Sequence, residues 1–344
     1  MKGTLKTRLI GASIGIFFGC VVIFSAGMNA QAKTIELSFS HHLPPMVPVA
    51  KAFEQWAKRI EADTDGRVAI TIYPSGTLSK ESDAYASTVG GICDISFISN
   101  SYERKRWALN QIVNLLDLPI PTDARGTEIW DRLWEKYPVM LTEYEGVKVL
   151  SHSVNMSASI HTQKEIRVPA DIKGMKIAAL GDKIKLLQNV GAAPIGMPAN
   201  DWYLSLEKGV IDGLFCPVGL LTDRGIEGLV PYHLKLDMGQ SGSCIIMNMK
   251  KWNSLPPDIQ STIEQLYTWG NETINGAFNR LVEDAWAKCR SQGHTIIEPT
   301  AEEMKLWQAA VQETTQNWIK ENANKGPTQE MYEYAKKLLE VIGQ

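Results

Sequence analysis

The segment from residue 171 to residue 217 constrains the fold of this 344-residue chain more than any other, because its apolar residues follow the order of an open α/β sheet. An apolar run ending at Ala178 predicts one strand, and residues 210–217 predict another. Between them the pattern predicts a helix, a short strand and a second helix. Strands and helices that alternate at this spacing are typical of a largely parallel sheet with helices on its faces.

A second unit of the same kind lies near the N-terminus. Ile35, Leu37 and Phe39 alternate with other residues and predict a strand that ends at the two histidines that follow. Apolar residues then recur at helical spacing over residues 49–60, and alternation resumes over residues 68–72. A strand, a helix and a strand at this spacing predict a right-handed crossover and a mostly parallel sheet.

The chain is predicted to change lobes twice. A strand over residues 148–151 leads to Asn155, where we expect the crossover into a second lobe, and the chain is expected to return near residue 242. We therefore predict a first lobe of residues 33–154 plus 242–283 and a second lobe of residues 155–241 plus 284–344. One long helix is expected from Pro257 to Arg290, with proline in its first turn.

The first 32 residues have the pattern of a signal peptide. Three basic residues precede an apolar run, and Ala30-Gln31-Ala32 supplies small residues at a cleavage site. The alternative is an uncleaved anchor, since the apolar run is close to the roughly 18 residues that span a bilayer. Cleavage removes three basic residues and no acidic one, so the formal net charge falls from −3 to −6. A mildly acidic chain argues against nucleic acid as a partner.

Patterns that indicate catalysis or a cofactor are absent from the sequence. His41 and His42 are adjacent and lack the i, i+4 spacing of a zinc-binding pair on a helix, and no cysteines have the C-x-x-C spacing. There is no phosphate-binding or nucleotide-binding glycine loop and no nucleophile elbow after residue 32. We therefore predict no catalytic residues, no metal and no cofactor. Cys216 and Cys244 are interpreted either as a disulfide or as two buried thiols.

Three motifs occur in the same order as in a known family. They are Lys-Gly-Met-Lys-Ile at residues 173–177, Asp-Gly at 212–213, and the Trp, Leu and Pro of residues 252–256. In these the chain resembles the solute-binding proteins of tripartite ATP-independent periplasmic (TRAP) transporters, whose patterns are LKGxKIRV, VVDGQENP and WDxLP. The resemblance extends over about 300 residues, from Thr34 to the C-terminus.

The resemblance implies a two-lobed periplasmic binding protein fold of the α/β class. Each lobe would be a mixed, mostly parallel sheet flanked by helices, with the long helix as a spine. The protein would be secreted to the periplasm, would close on a small organic solute between its lobes, and would deliver it to the small and large subunits of a sodium-driven membrane permease. The membrane would be contacted only through that permease.

The chain departs from the family at the residues that bind ligand. Ala178 stands where the family has an arginine that pairs with a carboxylate, and Ala158 stands near a second such position. Leu214, Phe215 and Cys216 replace three polar residues of the cleft. We interpret them either as an apolar pocket wall or as residues that pack only into their own lobe. The ligand is accordingly predicted not to be a simple dicarboxylate, but to be more apolar, aromatic, or bound through other donors.

Polar residues near predicted strand ends complete the candidate site, since ligands bind at the carboxyl ends of strands in open α/β sheets. They are His41, His42, Glu81, Ser99, Asn100 and Asn155. Two other functions remain open on the sequence alone. One is the binding protein of an ABC-type importer, and the other is an enzyme or ligand-sensing subunit built on the same clamp.

Overall fold

The computed structural model describes residues 33–343, and the predicted signal peptide lies outside the described residues. Within this range no helix combines the length and the apolar composition needed to cross a bilayer. The described residues contain eleven strands: β1 (Ile35–Ser40), β2 (Val68–Tyr73), β3 (Ile95–Ser99), β4 (Val147–Asn155), β5 (Ala158–Thr162), β6 (Lys176–Ala179), β7 (Ala193–Ile195), β8 (Gly213–Cys216), β9 (Tyr232–Met238), β10 (Ser241–Asn248) and β11 (Thr295–Ile297).

These strands form two mixed sheets. The first sheet has the order β2-β1-β3-β10-β4, in which β1 is parallel to β2 and β3, and β10 is antiparallel to β3 and β4. The second has the order β11-β9-β5-β8-β6-β7, in which β5 is antiparallel to β8 and β9 and the other pairs are parallel. The predicted two-lobed α/β fold with mixed sheets is confirmed.

The chain passes between the sheets where β4 leads into β5 and where β9 leads into β10. The two passages are adjacent, because Asn155 pairs with Ser241 across β4 and β10. The backbone is unusual at both: Met156 has a φ of 32° and Gly239 a φ of 60°. A Cβ atom on Gly239 would lie 2.4 Å from Leu116 Cδ2 in a left-handed backbone conformation, so glycine is strongly favoured at this turn.

Eleven α-helices cover the sheets within residues 33–343. They are α1 (Pro48–Asp63), α2 (Ala84–Val89), α3 (Ala124–Lys136), α4 (Asp182–Asn189), α5 (Trp202–Glu207), α6 (Gly219–Thr222), α7 (Met249–Ser254), α8 (Pro257–Gln265), α9 (Tyr267–Ser291), α10 (Ala301–Asn322) and α11 (Thr328–Ile342). The apolar face predicted for the first helix is confirmed, since α1 buries Phe53, Trp56 and Ile60.

The single long helix predicted from Pro257 to Arg290 is wrong in one respect. Two helices cover this range, because Leu266 ends α8 and precedes α9 with a φ of −84° and a ψ of 0°. The backbone NH of Leu266 bonds to the carbonyl of Ile263, a tight turn that interrupts the α-helical ladder. The 25 residues of α9 still connect the lobes: Ile274 and Phe278 pack in the core of the first, and Trp286 in that of the second.

The C-terminal helices divide between the two cores. In α10, which begins with a capping box between Thr300 and Glu303, Trp307 packs with the second sheet. Trp318, near its other end, packs with the first-lobe cluster that includes Trp130. Helix α11 also joins that cluster. The predicted lobe division groups all of residues 284–344 with the second lobe, whereas α11 contacts α3 of the first.

Candidate functional site

A cavity lies between the two sheets at the ends of their strands. It contains about 730 Å³ of space free of protein atoms, part of it open to solvent. The first lobe lines it with residues that follow β1 and β3, and the second with residues that follow β6 and β8. This is where an open α/β sheet places a ligand, because the carboxyl ends of its parallel strands meet at one edge.

Arg224 is the principal cation of the cavity. It lies two residues beyond α6, where Gly225 turns the chain with a φ of 65°. Its Nη1 donates to Asp223 Oδ1 at 2.5 Å and to the Leu220 carbonyl at 3.4 Å. Its Nε is buried and has no hydrogen-bond partner among the described residues. A planar guanidinium with a free edge can donate two parallel bonds to a carboxylate.

Asp223 keeps this arginine in place while reducing the local positive charge. Its side chain is 1% exposed, and burial raises its pKa to about 6 although Arg224 opposes that rise. Arg224 also lies 6.0 Å from the ring of Trp202, which lines the same cavity. The guanidinium is therefore fixed by an acid on one side and an aromatic ring on another before any ligand binds.

Lys183 is a second cation on the second lobe, in the first turn of α4. It lines the cavity with 8% of its surface exposed. Burial lowers its pKa to about 8, against the opposing effect of Asp182. Most of its population is charged at neutral pH, because the pKa lies above the pH.

One ion pair connects the lobes at the edge of the cavity. Arg104 follows β3 of the first lobe, and its Nη2 donates to Asp182 Oδ1 at the start of α4 in the second. The carboxylate is 3% exposed and the guanidinium 30%. Arg104 Nε and Asp182 Oδ2 remain without partners within residues 33–343. We call this contact the Arg104–Asp182 latch.

On the first lobe, His42 and Glu81 face the cavity as a pair. His42 Nε2 lies 3.2 Å from Glu81 Oε2, and the imidazole stacks on Phe97 with centroids 5.7 Å apart. Burial, with Arg224 next in effect, lowers the pKa of His42 to about 3. Burial also raises the pKa of Glu81 well above its usual value, although the Tyr102 hydroxyl and Arg224 oppose this. Both shifts favour a neutral pair in which the protonated Glu81 carboxyl donates a hydrogen bond to His42 Nε2.

A short hydroxyl and amide network joins the crossover to the first sheet. Asn155 Nδ2 donates to Ser243 Oγ at 2.7 Å and to Ser153 Oγ at 3.0 Å. Ser99 pairs with Ser243 in the sheet and also lines the cavity. These groups offer neutral hydrogen bonds to a ligand without adding charge.

Most of the rest of the lining is aromatic or aliphatic, beside the hydroxyl groups of Ser101, Tyr102 and Ser241. The apolar side chains that form it come from both lobes: Leu43, Phe97, Met156, Leu180, Trp202, Phe215, Pro217, Leu220 and Phe278. Such a surface holds a ring or an alkyl chain by excluding water from it.

Six of the ten residues predicted from the sequence line this cavity: His42, Glu81, Ser99, Asn155, Phe215 and Cys216. The other four lie outside its lining. Ala178 and Leu214 are opposite each other in β6 and β8 and pack in the second-lobe core with Trp202. His41 packs against Phe39 and Phe53 in the first lobe. Asn100 donates its backbone NH to the Gly242 carbonyl and accepts from Gln111.

Sequence reasoning missed Arg224 and Trp202 as site residues. Arg224 lies in a loop between the second and third recognised motifs, so no local pattern marks it. Lys183 lies just after β6, the strand that contains Ala178. The rule that ligands bind at the carboxyl ends of strands would therefore have identified Lys183 as a candidate.

The four cysteines within residues 33–343 are free and buried. Cys216 belongs to the second sheet and Cys244 to the first. The interpretation of Cys216 and Cys244 as two buried thiols therefore agrees with the structure, and the disulfide does not. Burial raises the pKa of Cys244 to about 12, so its thiol stays protonated.

Comparison with known proteins identifies the family. The model described as "Bacterial extracellular solute-binding protein, family 7" (DctP) matches residues 39–322. The C4-dicarboxylate-binding periplasmic protein DctP of Rhodobacter capsulatus is 23% identical over 309 residues, which cover 88% of this chain and 91% of the relative.

Two solved structures share the fold over nearly their whole length. A TRAP periplasmic solute-binding protein from Desulfovibrio salexigens superposes with a TM-score of 0.80 at 25% identity, covering 90% of this chain and 97% of the other. A marine metagenome TRAP protein specific for aromatic acid ligands gives 0.83 at 22% identity, covering 90% and 100%. The chain therefore belongs to family 7 of the bacterial extracellular solute-binding proteins, as a TRAP solute-binding protein that serves periplasmic transport and is not an enzyme.

Proposed function

We propose that this protein captures an aromatic monocarboxylate, with its carboxylate on Arg224 and its ring against the apolar lining of the cavity. The observation that supports this most directly is the buried Nε of Arg224, which has no partner within residues 33–343. An unpaired donor on a buried cation is costly, and a carboxylate satisfies it with a charge-assisted bond. Arg224 thus takes the task of the arginine that Ala178 replaces.

The charges of the cavity favour one negative charge on the ligand. On and beside the second-lobe wall, Arg224, Lys183 and Arg104 are opposed by Asp223 and Asp182, which leaves one positive charge in excess. The neutral Glu81–His42 pair adds no charge. The second carboxylate of a dicarboxylate would exceed the single excess positive charge, and burying an uncompensated charge is strongly unfavourable.

The chemistry of the remaining wall favours a ring, because Phe97, Phe215 and Phe278 all contribute to the lining. Hydroxyl groups on a ring would find partners in Ser99, Asn155 and the Glu81–His42 pair. The metagenomic relative that is specific for aromatic acids agrees with this assignment.

We also propose the finer features of the transport cycle. Residues 1–32 would be removed on export, and the two lobes, divided at residues 154 and 242, would close on the solute. The loaded protein would then deliver it to a permease of one small and one large subunit driven by sodium. The motif order and the adjacent crossovers at Met156 and Gly239 support this proposal.

A ligand panel tests the proposed substrate class. The mature chain would be unfolded and refolded to remove any solute, and then heated with benzoate, 3-hydroxybenzoate, phenylacetate, succinate or glucuronate. We expect the aryl monocarboxylates to stabilise it, by about 2.7 kcal/mol at one hundred times the dissociation constant, because ligand binds only the folded state. Succinate should have no comparable effect. Micromolar binding of succinate with no response to any aryl acid would contradict the proposal.

A second prediction concerns the Arg104–Asp182 latch. We expect Arg104→Gln to weaken binding of the best aryl acid by about tenfold, because the closed form loses a charge-assisted hydrogen bond between the lobes. Lys105→Gln is the matched control, since Lys105 is the exposed neighbour in the same loop. Titration calorimetry would give both affinities. Equal affinity for Arg104→Gln and Lys105→Gln would show that the latch does not stabilise closure.

A further inference from the structure

A cluster of metal-ligating side chains lies in the second lobe, outside the lining of the solute cavity. His233 is on β9, Cys289 is near the end of α9, and His294 immediately precedes β11. One ligand atom from each lies within 4.8 Å of the others. His233 and Cys289 are fully buried, and His294 is partly exposed. The sequence gives no sign of this group, because its members come from three separate elements.

The backbone holds these residues in place. Strands β9 and β11 pair so that Ile296 is opposite His233. The backbone NH of His294 donates to the Cys289 carbonyl at 3.1 Å, across a turn in which Gly293 has a φ of 75°. The ring of Trp286 packs edge-on against His233, with centroids 5.8 Å apart. The three side chains are therefore positioned by the fold and do not have to be gathered by a ligand.

A chain of hydrogen bonds sets which nitrogen of His233 is free. The Cys216 carbonyl only accepts, so His161 Nε2, at 3.0 Å, must donate to it. With its proton on Nε2, His161 accepts at Nδ1 from His233 Nδ1, at 2.8 Å. His233 then carries its proton on Nδ1, and the lone pair of its Nε2 points to His294 Nδ1, at 3.0 Å. A metal-binding histidine usually has this arrangement, in which the second ring nitrogen donates to a fixed acceptor.

We propose that His233, Cys289 and His294 bind one transition-metal ion of the zinc type. Two imidazole nitrogens and one thiolate are the donors that zinc and similar borderline-soft ions prefer. In a tetrahedral zinc site neighbouring ligand atoms are roughly 3.3–3.7 Å apart. Here His233 Nε2 and His294 Nδ1 are 3.0 Å apart, and the three ligand atoms all lie within 4.8 Å of one another. Small side-chain rotations would therefore bring them to the distances of a zinc site.

The surrounding charges suit a cation. The Glu227 carboxylate pairs with Lys288 through Oε1, while its Oε2 is buried without a partner in the described part of the chain. On binding, the metal–sulfur bond would replace the S–H bond and the thiol proton would leave to solvent, while His294 would carry its proton on Nε2 so that the lone pair of its Nδ1 is free for the metal. His161 connects this site to the solute cavity, because it bonds both His233 and the carbonyl of Cys216, which lines the cavity.

Cobalt serves as the probe, because a thiolate bound to Co²⁺ gives a charge-transfer absorption band that imidazole alone does not. The mature chain, without a polyhistidine tag and stripped with a chelator, would be titrated with Co²⁺ and then with Zn²⁺ in competition. We expect one equivalent to bind, with the band present, and Zn²⁺ to displace it. Cys289→Ala should remove the band, and His294→Ala should weaken binding at least tenfold.

The matched control is Cys93→Ala, which removes another fully buried free thiol, in the first lobe. It should leave the band and the stoichiometry unchanged. Circular dichroism would show that each variant is folded. Because His294 is partly exposed, His294→Ala should fold even if Cys289→Ala does not, and it then tests the proposal by itself. The proposal is overturned if no stoichiometric Co²⁺ binding occurs, or if His294→Ala and Cys93→Ala bind Co²⁺ equally.

Discussion

Replacing Arg224 with glutamine should weaken binding of an aryl monocarboxylate by about 2–5 kcal/mol, or at least about 30-fold, because the carboxylate loses its buried cationic partner. Titration calorimetry on refolded, solute-free protein measures this loss. The affinity of Arg224→Lys should lie between those of the unaltered protein and Arg224→Gln. An ammonium keeps the charge but cannot donate in the two-pronged geometry of a guanidinium.

Asp223→Asn is the matched control, because it alters the neighbouring residue and removes a negative charge where Arg224→Gln removes a positive one. It removes the negative charge beside Arg224, so anion affinity should stay equal or increase. A double variant with Arg224→Gln and Asp223→Asn removes both buried charges. It therefore controls for the cost of an unpaired Asp223 in the Arg224→Gln variant. If folded Arg224→Gln binds the aryl acid as tightly as the unaltered protein, the carboxylate is held elsewhere, and Lys183 becomes the next candidate.

Phe215→Ala should lower both stability and affinity. The side chain is 1% exposed and belongs to the second-lobe core, so its truncation should reduce the free energy of unfolding by about 3–5 kcal/mol. It also lines the cavity, so affinity for an aryl acid should fall by about 1–3 kcal/mol. Denaturant unfolding measures the first effect, and calorimetry below the unfolding transition measures the second.

Phe39→Ala separates these two effects. Phe39 is fully buried in the first-lobe core and is not part of the cavity lining. Its truncation should therefore cost a similar free energy of unfolding while the folded protein keeps its affinity. If Phe215→Ala and Phe39→Ala bind the aryl acid equally well when folded, Phe215 has only a structural role and the apolar wall lies elsewhere.

The sequence predicted β1, β2, β4, β6, β7 and β8, because burial on one face leaves a clear period in the apolar residues, but it did not predict β5 or β9. The apolar face of α1 is an example, and it depends only on residues a few positions apart. The break at Leu266 was missed for the same reason: leucine is a good helix former, and nothing nearby predicts a turn there. The contact of α11 with α3 joins segments almost 200 residues apart in the chain, which local patterns cannot specify.

The candidate site shows where motif comparison stops. Leu214 and Phe215 are adjacent, but successive side chains in a strand point to opposite faces. Only Phe215 lines the cavity, whereas Leu214 and its neighbour across the sheet, Ala178, face the core. Arg224 could not be assigned from its surroundings in the sequence, because its role depends on where α6 ends relative to β3 of the other lobe.

The placement of the binding groups on one lobe has a consequence for rates. Arg224, Lys183 and Phe215 all belong to the second lobe, while the Arg104–Asp182 latch joins it to the first. In the proposed closing motion, an incoming anion is captured by the second lobe alone, before the first lobe closes on it. Release of the anion then requires the latch to break first. Weakening the latch should shorten the residence time of the solute without slowing its capture, which leaves the loaded protein less time to find its permease.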